Sequence, residues 1–169
     1  MMTGINDLFT TSGAVFSDCQ RYRYRLWRTW DSSKKPLVMV MLNPSIADAE
    51  QNDPTVERCQ RRALAMGFGG LQVANIFSLV STDPGALYET EDPVGPKNNA
   101  AILEAVSDAG MVLCAWGTHG AHVGRAREVV AMLRDAGVSP YCLGQNADGS
   151  PKHPLYVGYG VSPMPYDLL

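Results

Sequence analysis

The sequence predicts an α/β fold: three α/β/α layers around a mainly parallel central sheet of about four strands, with an N-terminal antiparallel hairpin or edge strand. Three observations predict it. Leu37-Val-Met-Val-Met-Leu42 is an unbroken apolar run, the pattern of a strand buried on both faces. Two more such segments, Leu71–Ile76 and Met111–Trp116, follow at intervals filled by helical patterns. A repeated strand–helix alternation of this kind closes most simply as a layered parallel sheet.

The elements follow in order. Residues up to about Gly13 carry little periodic signal, whereas Tyr22 to Trp30 is aromatic-rich and mostly alternating, as a hairpin or edge strand is. Regular alternation would set Arg21, Arg23 and Arg25 on one face. Such a row either faces phosphate or blunts an exposed sheet edge, and the edge reading is favoured. A turn over Asp31–Pro36 leads into the central strand, Leu37–Leu42. Asp53 is placed to cap a helix starting at Pro54, with Val56, Cys59, Ala63 and Met66 as its apolar stripe and Gly67, Gly69 and Gly70 as its stop. After the strand Leu71–Ile76, the Pro/Gly-rich segment Ser81–Pro96 reads as a long functional loop. A helix over Asn98–Asp108 turns Ile102, Leu103 and Val106 inward, and Met111–Trp116 is the third buried strand. Gly117-Thr-His-Gly120 makes a turn into a helix over Ala121–Ala136, with Val123, Ala126, Val130 and Leu133 on its inner face, and a short strand surrounds Tyr141–Leu143.

At 169 residues the chain has the size of one domain, expected to span 1–169 without a linker or repeat. Its 46% hydrophobic and 18% charged residues suit a packed core and argue against extended disorder. The longest apolar run is far short of the roughly 20 residues of a membrane span, and no basic-then-apolar leader pattern is visible, so no membrane association and a cytoplasmic location are expected. A net charge of −3 lacks the basic footprint of a duplex-binding protein. Cys19, Cys59, Cys114 and Cys142 have no C-x-x-C spacing and read as free, largely buried thiols.

In an open parallel sheet, ligands bind beyond the carboxyl ends of the strands. The loop after the first buried strand offers Asn43, Pro44 and Ser45, and Asp53 further on. Asn43 either bonds its own turn or presents its amide to a ligand. Asn75 ends the second strand, where an amide satisfies a neighbouring backbone group or reads a ligand edge. The third strand and its turn bring Trp116, Gly117 and His119, and the last loop brings His153, an imidazole able to donate to a developing anion. His119 and His122 lack a third ligand at a recognisable spacing, so no metal is assigned. Asp48, Glu50 and Asp53 are capable of holding Mg²⁺ through a substrate phosphate, but capping accounts for Asp53 and solvation for the others. No Walker A, G-x-G-x-x-G or G-x-S-x-G motif occurs.

Taken together, Met41-Leu-Asn-Pro-Ser-Ile-Ala-Asp48, Asn52-Asp-Pro-Thr55, Ala74-Asn-Ile-Phe77, Cys114-Ala-Trp-Gly117 and Gly149-Ser-Pro-Lys-His-Pro-Leu155 resemble the domain-of-unknown-function family 1643 over nearly the whole chain. The order N-P-S, A-N-I-F, W-G and H-P is also similar to the uracil-DNA glycosylase superfamily. That second resemblance implies a uracil-DNA-glycosylase-like fold in which Asn43 positions a water, Asn75 reads the base edge and His153 stabilises the departing base. No cofactor is implied. The superfamily's stacking aromatic has no counterpart around Asp53-Pro54-Thr55, leaving Phe77 or Trp116 to replace it, and Leu155 stands where a wedge would be.

The expected function is nucleobase or nucleotide recognition, with hydrolysis of an N-glycosidic bond as the reaction; the partners are a nucleotide, a nucleoside or single-stranded nucleic acid. Two alternatives stay open: a Mg²⁺-dependent phosphate-metabolite protein using Asp48, Asp53, Lys97 or Arg125, and a non-catalytic interaction module presenting Tyr22–Trp30.

Overall fold

The computed structural model describes residues 11–167. Among them the strands are β1 (Thr11–Phe16), β2 (Arg23–Thr29), β3 (Pro36–Met41), β4 (Gly70–Asn75), β5 (Met111–Cys114), β6 (Tyr141–Cys142) and β7 (Met164–Pro165). The helices are α1 (Pro54–Ala65), the single turn α2 (Ala86–Glu89), α3 (Asn98–Val106) and α4 (Arg125–Asp135). The strands form one sheet in the order β1-β2-β4-β3-β5-β6-β7.

The sheet is mixed, which corrects the expectation of a mainly parallel one. β4, β3, β5 and β6 run parallel, but β1–β2, β2–β4 and β6–β7 pair antiparallel, giving three pairings of each kind. The Tyr22–Trp30 segment is one arm of the expected antiparallel hairpin, β1–β2, and not an edge: β2 lies between β1 and β4. The expected row of arginines is also broken. Val15 pairs with Arg25 and its neighbour Phe16 with Arg23, so Tyr24 is an extra residue, a bulge that reverses the alternation. Arg25 consequently reaches Gln72 and Glu104, while Arg23 turns to Ala47 and Asn75.

β3 accounts for the core. Its side chains alternate between two apolar clusters: Val38 and Val40 join one, Leu37, Met39 and Met41 the other. The first cluster is closed by Ile102 and Val106 of α3 and by Ala126, Val129, Val130 and Leu133 of α4; the second by Val56, Cys59 and Ala63 of α1. Two inward assignments fail: Leu103 is exposed, and Val123 precedes α4 in a short 3₁₀ stretch with φ of 50°, its side chain in solvent. Cys59, Cys114 and Cys142 are buried, Cys19 is exposed, and all four are free. Among the described residues no helix is long and apolar enough to cross a membrane.

The stop after α1 shows how a turn is enforced sterically. Gly67 has φ of +84° with open space around it, whereas a Cβ on Gly69 would lie 2.1 Å from the Asp31 carbonyl oxygen and 2.5 Å from that of Lys34. Backbone atoms cannot yield as a flexible side chain does. Gly69→Ala is therefore expected to cost at least about 2 kcal/mol, and Gly67→Ala only about 1 kcal/mol, the cost of a left-handed L-residue. Urea denaturation of both variants checks this; equal losses would refute the steric account.

Candidate functional site

The chain leaves β3 through α1 to β4 on one side and then crosses back, through α3, to β5 on the other side of β3. This is the topological switch point at which doubly wound sheets open a crevice. A cavity of about 720 Å³ lies there, rimmed by the segments that follow β3, β4, β5 and β6. Of the residues expected at a site, Asn43, Pro44, Ser45, Asp53, Asn75, Trp116, Gly117, His119 and His153 all line it. Phe77 does not: it is fully buried in the core cluster beneath α3 and α4. Arg23, read from the sequence as part of a row facing phosphate or blunting an edge, also lines the cavity, as do Thr55, Lys152 and Tyr156, which sequence reasoning passed over.

Asn43 bonds its own turn, the first of its two readings, and reaches further than that turn. Its Nδ2 donates to the carbonyls of Pro44 (3.2 Å), Leu79 (3.2 Å) and Ser81 (2.9 Å), tying the loop after β3 to the loop after β4. With the amide nitrogen so engaged, its Oδ1 takes no protein donor among the described residues and remains an acceptor at the cavity wall.

Asn75 is oriented by a charge. Arg23 Nη2 approaches its Oδ1 at 3.5 Å, and because a guanidinium only donates, the amide must turn its oxygen toward Arg23. The Asn75 Nδ2 finds no protein acceptor among the described residues and is left for the cavity. The strand end behind it is closed from the other face: Asn98 donates to the Asn75 and Ile76 carbonyls, and Arg125 Nε donates to Ile76 O. Arg125 also pairs with Glu128, so it is a buried structural group and not a phosphate ligand of the cavity.

His153 is half-buried, and the Leu155 N–H donates to its Nδ1 at 3.2 Å. That nitrogen must carry the lone pair, which puts the proton of the neutral ring on Nε2. Burial holds the imidazole below its ordinary value of 6.5, opposed by the Asp53 carboxylate. Asp53 itself caps α1 through Oδ1, which accepts from Val56 N at 2.8 Å. The loop carrying His153 is held by α1: Arg58 donates to Pro154 O (3.0 Å) and Val157 O (2.6 Å), and Arg62 Nη2 to Val157 O (2.9 Å). The Tyr159 ring lies 4.3 Å from the Arg58 guanidinium carbon. From the β5 side, Gly117 N donates to Pro151 O, at a φ of 72° and ψ of −165° that only glycine adopts readily.

The remaining candidates disperse. His119 Nδ1 pairs with the Tyr88 hydroxyl at 2.9 Å, and His122 packs against the same ring, tilted by 48°. Asp48 Oδ1 accepts from the Glu50 and Gln51 amides. Among the described residues no three His, Cys, Asp or Glu side chains are arranged to hold a metal ion.

Two predictions follow from this geometry. Asn caps helices as well as Asp does, so Asp53→Asn keeps α1 while removing a charge. The His153 pKa, already depressed, is expected to fall further. An imidazole depressed in the native state costs stability as pH falls below 6.5, where only the unfolded chain takes up the proton, so the variant should lose stability over a pH range reaching lower than in the wild type. NMR titration of the ring protons decides: an unchanged or higher pKa would exclude the Asp53 coupling. Separately, Arg58→Ala should make local opening of the His153 loop easier by about 1–3 kcal/mol, seen as faster amide exchange at Tyr156 and Val157 with α1 amides unaffected. Unchanged exchange there would mean that Arg62 alone holds the loop.

The family model described as "Protein of unknown function (DUF1643)" matches residues 23–155. No curated protein and no solved structure matches the chain. The matched span runs from Arg23 to Leu155 and so takes in every cavity residue named above except Tyr156. The chain belongs to the DUF1643 family.

Proposed function

We propose that the cavity recognises a nucleobase and that the protein hydrolyses the N-glycosidic bond joining that base to its sugar, with a nucleoside, nucleotide or single-stranded nucleic acid as substrate. The observation that carries this reading is the convergence of three uncharged polar groups from separate segments of the chain on one cavity. They are a free carbonyl oxygen on Asn43, a free amide N–H on Asn75 and an Nε2–H on His153.

Each group has a place in the reaction. Heterolysis of the bond leaves positive charge on the sugar and the electron pair on the base nitrogen. The Asn43 oxygen accepts a hydrogen bond from a water that attacks the anomeric carbon. His153, neutral and with its donor tautomer fixed, donates a hydrogen bond to the anionic base without having to lose a proton. The water oxygen ends as the sugar hydroxyl and its proton ends on the base. Asn75 offers a donor, so it matches an acceptor edge such as an exocyclic carbonyl. Trp116 is almost wholly buried, and Tyr156, at 85% exposure on the rim, is the side chain free to stack on a base or wedge beside it, in place of Leu155. Helices against both faces of the sheet support the three-layer, uracil-DNA-glycosylase-like architecture as part of this reading.

The test is release of free base from nucleosides, nucleotides and single-stranded oligonucleotides carrying uracil or modified bases, followed by chromatography and mass spectrometry. His153→Ala is expected to lower the rate by about 10²–10³-fold, the usual effect of removing one such donor. Asn43→Ala should abolish release and also lower stability, because it frees three loop carbonyls. Absence of release from every substrate, or full activity in His153→Ala, would end this reading.

A further inference from the structure

The cavity wall holds a buried charge that has no ion-pair partner among the described residues. Arg23 is only 2% exposed, yet among the described residues it forms no ion pair. Its guanidinium donates to Ala47 O at 2.9 Å and, weakly, to Asn75 Oδ1 at 3.5 Å, and its Nε has no acceptor. The other buried arginines make more hydrogen bonds or an ion pair, although among the described residues Arg62 Nε and Arg125 Nη2 also lack acceptors. Arg28 donates to Asn52 Oδ1 and to the carbonyls of Trp27, Asp48 and Gln51; Arg62 is held by Val157, Gly158 and the Tyr159 ring; Arg125 pairs with Glu128. Arg23 alone among the four lines the cavity.

A buried charge is costly unless it is paired, so an unpaired one facing a cavity is most economically matched by the ligand. The remaining formal charges on the cavity wall are Lys152 and Asp53, which leaves one excess positive charge with the histidines neutral. Asp53 has one oxygen committed to the Val56 amide and makes no ion pair with Arg23. Burial brings the Arg23 pKa down to about 10, so the group keeps its charge at neutral pH.

We infer that Arg23 makes the cavity selective for heterocycles of nucleobase size that carry negative charge at the Asn75 end. This rests on the nucleobase reading of the cavity and sharpens it. Arg23 acts there as a specificity determinant: it turns the Asn75 amide to present its N–H and adds a full positive charge behind that donor.

Isothermal titration of the wild-type protein at pH 7.5 with four rings tests the inference without relying on turnover. Uracil and thymine are neutral, and barbiturate and 5-nitrouracil are anionic under these conditions; thymine controls for bulk at the ring's 5-position. Both anionic rings are expected to bind at least about tenfold more tightly than both neutral ones, the size of a charge-assisted hydrogen bond. Arg23→Lys should keep that order and Arg23→Gln should remove it. Should the buried Gln prevent folding, the wild-type ranking and the Lys variant still decide. Any other ranking in which a ring binds overturns the inference and leaves the nucleobase reading standing; no binding by any of the four overturns both.

Discussion

The site depends on one constraint: the backbone carbonyls that emerge where buried parallel strands end must find donors although no neighbouring strand supplies them. A buried carbonyl without a partner costs about 1–3 kcal/mol, and several lie side by side beyond β3, β4 and β6. This protein meets the need with side chains that carry several N–H groups on one planar head. Asn43 closes the carbonyls of Leu79 and Ser81, Asn98 those of Asn75 and Ile76, Arg125 a second bond to Ile76, and Arg58 and Arg62 those of Pro154 and Val157. Arg23, Arg28, Arg58, Arg62 and Arg125 all donate to backbone carbonyls, and of these only Arg125 also forms an ion pair among the described residues.

This stapling explains why the cavity wall is firm enough to orient small groups. Each staple fixes the side chain that makes it and the loop that receives it. The Asn43 nitrogen is consumed by loop carbonyls, so its oxygen is what faces the cavity. The His153 ring nitrogen nearest the backbone is consumed by Leu155 N–H, so the opposite nitrogen carries the proton. In both cases the group left for a ligand is determined by the bond made on the other side. Loops rigidified in this way hold donors and acceptors in fixed directions.

The strands and helices were legible where hydrophobic periodicity is strong. Leu37–Leu42 had to be a central strand because both its faces are apolar, and Asp53-Pro54 announced the start of α1 through capping chemistry. Asn43 and Asn75 were legible as cavity residues because they stand at or just beyond strand ends, and His153 because the loop after β6 opens on the same side. What escaped follows from features without a periodic trace. A single inserted residue, Tyr24, moved Arg23 from an expected surface row into the cavity wall, and no count of alternating residues reveals where a bulge falls. β7 is two residues long and pairs by position alone. Phe77 was misplaced because an aromatic one residue beyond Ile76 shares its apolar surroundings. Tyr156 was passed over because its neighbour Leu155 looked the more natural apolar tip, whereas it is the tyrosine that stands in solvent.

Asp53 shows how two demands meet in one residue. The helix needs an oxygen acceptor at its N-cap, and Asn, Ser or Thr would supply one nearly as well. The charge is therefore surplus to the cap, and its effect is felt in the cavity. There it opposes burial at His153, and it is the first of the charges that favour protonated Arg23. A neutral cap would leave Asp48 as the remaining carboxylate that favours the charged guanidinium, and the imidazole still harder to protonate. A carboxylate in direct contact with Arg23 would neutralise the charge and occupy the position a ligand needs. Asp53 stands between these limits: near enough to temper the buried cation, and engaged by the Val56 amide so that it does not pair with it.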